Sequence, residues 1–288
     1  MAGLFGGRLA RHATVTLLGS WKEGLEALRK QGIRLEKNGH VEHARVKVAA
    51  DPADCTGAQT ALVLVKSWQS EHAANMLAAC LAPDGVALTL QNGLGNIETL
   101  QARIGRERVA LGVTTSGAAL LGPGRVRDGG AGPTHVAPHP RLAPLVDLLQ
   151  TAGIEIYPAD DIEGLVWGKL AINAGINPLS ALLEVPNGEL IRRPEARLLM
   201  GEAALEVASV AEARGIRLPF ANPVEQMEQV AQRTAENDSS MLQDIRRGAP
   251  TEINAINGAV VREGQRLGVS APVNRILWKL VQAKVGGT

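Results

Sequence analysis

The 288 residues contain only two cysteines, Cys55 and Cys80. So small and irregularly placed a pair supports neither a disulfide framework nor a thiolate metal site, and both read as ordinary packed or surface thiols. The six histidines, at 12, 40, 43, 72, 135 and 139, form no metal-ligating pair on a helix, and the only two four apart are 135 and 139. His135 and His139 flank Pro138 in what reads as a loop. No apolar run approaches the roughly 20 residues needed to span a bilayer. The opening MAGLFGGRLARH lacks the ordered regions of a secretory signal, so a cytoplasmic protein is expected. Net charge is +1, which leaves no bias toward nucleic acid or a membrane surface.

With 45% hydrophobic and 20% charged residues, the chain has the balance of a soluble globular protein, and its length suits two domains with separate cores. Over the first 160 residues, short β-branched runs alternate with helical stretches, the pattern of a parallel sheet covered by helices. VTLL (15–18), ALVLVK (61–66), GVALTL (85–90) and RVALGVTT (108–115) read as buried strands. Helices are expected over 4–12, 22–32, 70–81 and 96–105, and one more strand within 151–161. From Ile162 the strand signal fades and long helical patterns take over, at 162–177, 194–215, 224–236, 250–268 and 274–285. The expected organisation is a dinucleotide-binding domain over 1–160 and an all-helical substrate and dimerisation domain over 161–288. The apolar helical half is compatible with a homodimer.

A dinucleotide fold opens with an apolar strand, a G-x-G-x-x-G turn and a helix whose N-terminal N–H groups approach the pyrophosphate. Here the pattern starts inside that helix, with Ala2 and Gly3 at the last glycine position and the first strand and first glycines lacking. A glycine-rich helix unrelated to nucleotides is the alternative reading. Following the 15–18 strand, where NAD-specific folds place a ribose-binding carboxylate, stand Gly19, Ser20, Trp21 and Lys22. That favours NADPH over NADH.

The most unusual stretch is VWGKLAINAGINPLSALLEVPNGEL. Lys169, Asn173 and Asn177 fall at i, i+4 and i+8, a polar stripe on an otherwise apolar helix that Pro178 is expected to close. Buried polar groups need partners, and an ammonium with two amides suits an anionic, hydroxylated ligand. A lysine so placed can both donate a proton to a ketone oxygen and stabilise a developing alkoxide. Asn187 stands in the following Pro-Asn-Gly turn. Asn237, Ser239 and Ser240 precede a helix and can offer donors to a carboxylate, though Ser240 also suits a simple cap. Glu252 is expected in the first turn of a helix after Pro250. Lys66, Gln69 and Asn92 follow strands, at the carboxyl edge where open α/β sheets bind ligands, although Asn92-Gly93 also suits a tight turn.

VKSWQ, LQNGLGNIETL, WGKLAINAGINPLSALLEVPNGEL and SSMLQDIRRGAPTEINAINGAVV resemble, in order and spacing, the motifs of the ketopantoate reductase (2-dehydropantoate 2-reductase) family, over essentially the whole chain. The resemblance implies an N-terminal Rossmann-type domain and a C-terminal helical domain, with NADPH and a small 2-oxoacid held in the cleft between them. It implies Lys169 as proton donor, with Asn173, Asn177 and Asn187 on the substrate and the stretch Asn237, Ser239, Ser240 completing that pocket. Residues matching Lys66, Asn92, Ala118 and Glu252 are cofactor contacts in that family, with Gln69 nearby. Two features depart from the pattern: the shortened glycine loop, and Ser20 where many members carry an arginine for the 2′-phosphate. Members of the family also reduce 2-oxoacids other than ketopantoate, and loss of the loop leaves open a catalytically impaired member. The natural chain is expected to carry the strand and turn upstream of Met1. Intact mass and N-terminal sequencing of protein from its native source check this, and a native start at Met1 with full cofactor affinity would overturn it.

Overall fold

The computed structural model describes residues 1–286 and divides the chain into two compact units. The first comprises Met1–Val65, Gln69–Gln91 and Asn96–Ile162; the second takes in Lys66–Trp68, Asn92–Gly95 and the residues from Glu163 onward. Helix α1 (Ala2–Leu9), strand β1 (Thr16–Leu18), α2 (Lys22–Gln31), β2 (Ile33–Lys37), β3 (His40–Ala44), β4 (Lys47–Ala49), β5 (Ala58–Val63), α3 (Ser70–Cys80), β6 (Leu81–Thr89) and α4 (Asn96–Ile104) come first. Then follow β7 (Val109–Thr114), β8 (Ala118–Gly122), β9 (Arg125–Asp128), β10 (Thr134–Val136), α5 (Ala143–Thr151) and β11 (Ile156–Pro158).

The first unit is Rossmann-like. Parallel β5, β6 and β7 are neighbours in a five-stranded sheet of order β11-β10-β7-β6-β5, in which β10 joins β7 antiparallel and β11 joins β10 parallel. Adjacent residues of β6 serve opposite layers: Val86 and Leu88 pack with Phe5 of α1 and Leu145 and Leu149 of α5, while Ala87 packs with Leu77 of α3 and Leu100 of α4. Burial on both faces is why this strand reads as an unbroken apolar run.

Three local expectations need correction. The 15–18 run does not form a buried strand of that sheet: among the described residues β1 pairs only with β4, in a separate two-stranded parallel sheet, and its residues are exposed or half-buried. It has a ladder on one side only, and that partner is equally short. His135 lies within β10 rather than in a loop, because the 134–136 stretch bridges β7 and β11. A four-stranded sheet, order β3-β2-β9-β8, was not expected at all. Its hairpin β2–β3 turns on Asn38 (φ 48°) and Gly39 (φ 79°), the left-handed pair that a two-residue turn of this hand demands. β3 is almost wholly exposed, so it carries no apolar alternation.

Helix α1 lies against this sheet. A Cβ on Gly3 would fall 2.5 Å from Val126 Cγ2 of β9, a contact that only glycine avoids. Arg8, in its last turn, donates to Asp128 at 2.7 Å across 120 residues of chain, and Lys37 stands 3.7 Å from the same oxygen. The Asp128 side chain is 1% exposed.

The second unit is helical: α6 (Ile162–Leu183), α7 (Asn187–Arg192), α8 (Pro194–Ala213), α9 (Pro223–Arg233), α10 (Ser240–Arg246), α11 (Asn257–Leu267) and α12 (Pro272–Val285). Two apolar clusters run through it, both built on α6 and α8: Trp167, Leu170 and Ala171 pack with Val207 and Val210, and Ile176 and Leu179 pack with Met200 and Ala204. No helix among the described residues is long and apolar enough to cross a membrane.

Burial alone would raise the pKa of Asp128, but the Gly130 N–H, Arg8 and Lys37 more than offset it and hold the carboxyl below its ordinary value. A depressed native pKa means stability that is present above the unfolded value and lost as pH falls through the native one. Asp128→Asn should therefore lower stability at pH 7 by roughly 1.5–3 kcal/mol. Denaturant titration should show the gap to wild type closing below about pH 4.

Candidate active site

Helix α6 carries Lys169, Asn173 and Asn177 one turn apart. Lys169 and Asn173 are half-buried and Asn177 is buried. Among the described residues, the side-chain amides of Asn173 and Asn177 have no hydrogen-bond partner within the protein. The helix does not end at Pro178, as expected, but continues through it to Leu183. Proline removes one donor from a helix interior. The carbonyl so affected, four residues back at Ala174, accepts instead from the Asn257 amide at 3.0 Å.

Facing this stripe electrostatically is Glu252. It was expected in the first turn of a helix; instead it sits in a bend, and α11 begins only at Asn257. The intervening residues form turns closed by Ala255 and Ile256 N–H groups on the Glu252 carbonyl, so Pro250 does not nucleate the helix. The Glu252 carboxylate, 4% exposed, accepts from Ser67 N at 3.0 Å, Lys66 Nζ at 3.3 Å and Asn92 Nδ2 at 3.4 Å. Lys66 also donates to Asp244, 2% exposed, at 2.7 Å, and Arg247 donates to the other Asp244 oxygen at 2.6 Å. Burial works against the Lys66 charge, but Glu252 and Asp244 outweigh it and raise its pKa.

Backbone geometry fixes the loops that supply these groups. Gly93 has φ 81°, a Cβ there would lie 2.4 Å from the Ala255 carbonyl oxygen, and Leu94 N donates to that oxygen at 2.9 Å. Asn92-Gly93 is thus a turn, and the turn is what aims Asn92 at Glu252.

The other expected residues fall into two places. Asn187 is the first residue of α7 rather than part of an open turn; its N–H bonds to the Asn237 carbonyl at 3.0 Å, its Nδ2 to Thr234 at 2.9 Å, and its Oδ1 is buried without a partner. Ser239, not Ser240, caps α10: its hydroxyl accepts from Leu242 N at 3.1 Å and lies 3.5 Å from the Asn177 carbonyl. Ser240 is half-buried and Asn237 exposed. All of these belong to the helical unit, as do Lys66 and Asn92. Ala2, Gly3, Gln69 and Ala118 lie in the first unit. Ala2 is exposed in the first turn of α1, a helix with no side-chain cap and no acidic residue there, so its N-terminal N–H groups fit the pyrophosphate of a dinucleotide. Ser20 to Lys22 are exposed after β1.

Asp244 and Arg247 escaped the sequence reading. Within QDIRRG they look like ordinary helix-surface charges, and only burial of Asp244 reveals its role. The spacing Asp244 to Arg247 at i, i+3 was the available signal.

Fold and site together define an NAD(P)-dependent oxidoreductase. Residues 1–141 match the family described as "Ketopantoate reductase PanE/ApbA" and residues 161–285 its C-terminal counterpart. The 2-dehydropantoate 2-reductase of Halobacterium salinarum is 38% identical over 98% of this chain and 95% of its own length. That of Escherichia coli O157:H7 is 35% identical over 82% of this chain and 77% of its own. A solved PanE/ApbA family ketopantoate reductase from Ralstonia eutropha JMP134 superposes with a TM-score of 0.91 at 33% identity, covering 98% and 94% of the two chains. A D-mandelate dehydrogenase solved with NADH and anilino(oxo)acetate gives 0.94 at 26% identity, covering 100% and 96%. The chain belongs to the ketopantoate reductase family.

Lys169 keeps some solvent access, yet burial among protein atoms lowers its pKa to about 8, with the Glu252 charge opposing the shift. NMR titration of the Lys169 Cε–Nζ group should place its midpoint near that value. In Glu252→Gln the midpoint should move lower still, since the opposing charge is gone.

Proposed function

We propose that the chain reduces 2-dehydropantoate to (R)-pantoate with NADPH, a step toward pantothenate and coenzyme A. Lys169 carries this reading: a lysine whose pKa stands at about 8 is protonated at neutral pH and gives up its proton readily. When bound, the dinucleotide supplies the hydride that reduces the ketone carbon. Lys169 Nζ donates the proton to the ketone oxygen and stabilises negative charge as it develops there. The amides of Asn173 and Asn177 hold the hydroxyl and carboxylate groups of the substrate, and Asn187, Asn237, Ser239 and Ser240 complete that pocket.

On this reading residues 1–160 bind the cofactor and 161–288 the oxoacid. Ala2 and Gly3 approach the pyrophosphate, and Lys66, Gln69, Asn92, Ala118 and Glu252 are further cofactor contacts. The half-buried Lys66 ammonium, shared between Glu252 and Asp244, has a third proton left for a ligand oxygen. The absence of a carboxylate at Gly19 to Lys22 supports NADPH over NADH.

A second reading, reduction of another branched or aryl 2-oxoacid, is favoured by the likeness to D-mandelate dehydrogenase. Initial rates of NADPH and NADH oxidation with ketopantoate, other branched 2-oxoacids and benzoylformate separate the two. Ketopantoate with NADPH should give the highest kcat/KM, and a clear preference for benzoylformate would select the second reading. Lys169→Ala should lose at least about a hundredfold in kcat/KM. In the wild type, kcat/KM for reduction should fall as pH rises above about 8, where Lys169 loses its proton. Near-normal turnover of the variant, or an unaltered alkaline limb, removes Lys169 from the reaction.

A further inference from the structure

Helix α6 is unusual in holding Pro178 in its interior, directly after Asn177 and four residues after Ala174. A helical residue at 178 would donate its N–H to the Ala174 carbonyl; proline has none, and its ring crowds that carbonyl. The break falls inside the polar stripe, with Lys169 and Asn173 on one side of it and Asn177 at its edge. An unrepaired break would let the two halves of the stripe shift against each other.

The repair comes from α11 and α12. Asn257, 0% exposed, places its Nδ2 3.0 Å from the Ala174 carbonyl and 2.9 Å from Asn274 Oδ1. Asn274, also 0% exposed, donates from its own Nδ2 to the Ala203 carbonyl at 3.0 Å and to Glu206 Oε2 at 2.8 Å. The Glu206 carboxylate in turn accepts the N–H groups of Val273 and Asn274, in the first turn of α12, at 2.8 and 2.9 Å. The direction of this relay is determined at its far end. An ionised carboxylate only accepts, so Asn274 presents its NH₂ to Glu206 and its oxygen to Asn257, and Asn257 presents its NH₂ to Ala174. Asn257 Oδ1 is left buried without a partner, a cost that the bond to the Ala174 carbonyl helps to offset.

We propose that Asn257, oriented by Asn274 and Glu206, is a positioning residue for the oxoacid site: it replaces the hydrogen bond that Pro178 removes and so holds Lys169 and Asn173 in register with Asn177. The inference rests on the reading of that stripe as the oxoacid site. It makes Pro178 and Asn257 a pair, each tolerable only with the other.

The test is a double-mutant cycle between Asn257→Ala and Pro178→Ala, because alanine at 178 restores the missing N–H. Asn257→Ala should lower kcat/KM for the oxoacid about tenfold, mainly through its KM, while the KM for NADPH stays unchanged. In the Pro178→Ala background the same substitution should have little effect on either oxoacid parameter, and it should lower Tm by much less than in the wild-type background. An equal loss in both backgrounds, or an unchanged oxoacid KM in Asn257→Ala, overturns the proposal. A general loss of packing would lower Tm equally in the two backgrounds and would not separate the KM of the oxoacid from that of NADPH. If Asn257→Ala does not fold alone, Glu206→Gln reads the same relay from its half-exposed end, with a smaller rise in oxoacid KM expected and no rise counting against it. If the wild type turns over no oxoacid, the reading of the site fails, and the Tm cycle still decides whether Asn257 replaces the Pro178 bond.

Discussion

Two carboxylates buried in the helical unit, Glu252 and Asp244, impose the constraint around which the site is arranged. A carboxylate taken out of water is tolerable only when donors surround it, and here most of the donors come from far along the chain: Lys66, the Ser67 N–H and Asn92 on Glu252, and Lys66 on Asp244, whose other oxygen takes the neighbouring Arg247. This is why the segments 66–68 and 92–95, which follow β5 and β6, pack with the helices rather than with the strands they leave. The left-handed turn at Gly93 and the bond from Leu94 to Ala255 close the second of these segments onto the same bend.

The same charges govern Lys169. Burial drives its ammonium toward the neutral form, and Glu252 restrains that shift, so the lysine rests near the pH at which a proton donor works. Lys66, closer to two carboxylates, is pushed the other way and stays charged. Two lysines thus carry opposite shifts around one carboxylate, and on the proposed reading they divide the labour between proton transfer and fixed charge. The amides beside Lys169 gain their precision from the helix that carries them, and that helix tolerates an interior proline because another buried amide stands in for the lost N–H.

Much of this architecture was legible beforehand where one local pattern dominates. The β5, β6 and β7 runs, the helices between them and the helical second half all rest on apolar periodicity or buried apolar runs, which burial enforces residue by residue. The polar stripe at 169, 173 and 177 was visible for the opposite reason, as polarity where packing predicts none. The hairpin at β2–β3 was missed although Asn38-Gly39 announces it, because β3 is mostly polar and almost wholly exposed, and the alternation of β2 is limited to buried Ile33 and Leu35. Ser239 and Ser240 were assigned their capping role in the wrong order, since either hydroxyl has the right chemistry and only backbone geometry selects one.

The sequence by itself determined the residue types of the candidate site, their helical spacing and the family, since all three are properties of short contiguous segments. Tertiary structure alone decided which charges are buried together. Asp244 meets Lys66 across 178 residues and Glu252 meets Asn92 across 160, separations at which no local periodicity operates. It also decided that α6 survives Pro178. A rule about one chain segment predicts a helix end there, and a hydrogen bond from Asn257, 83 residues further on, removes the reason for it.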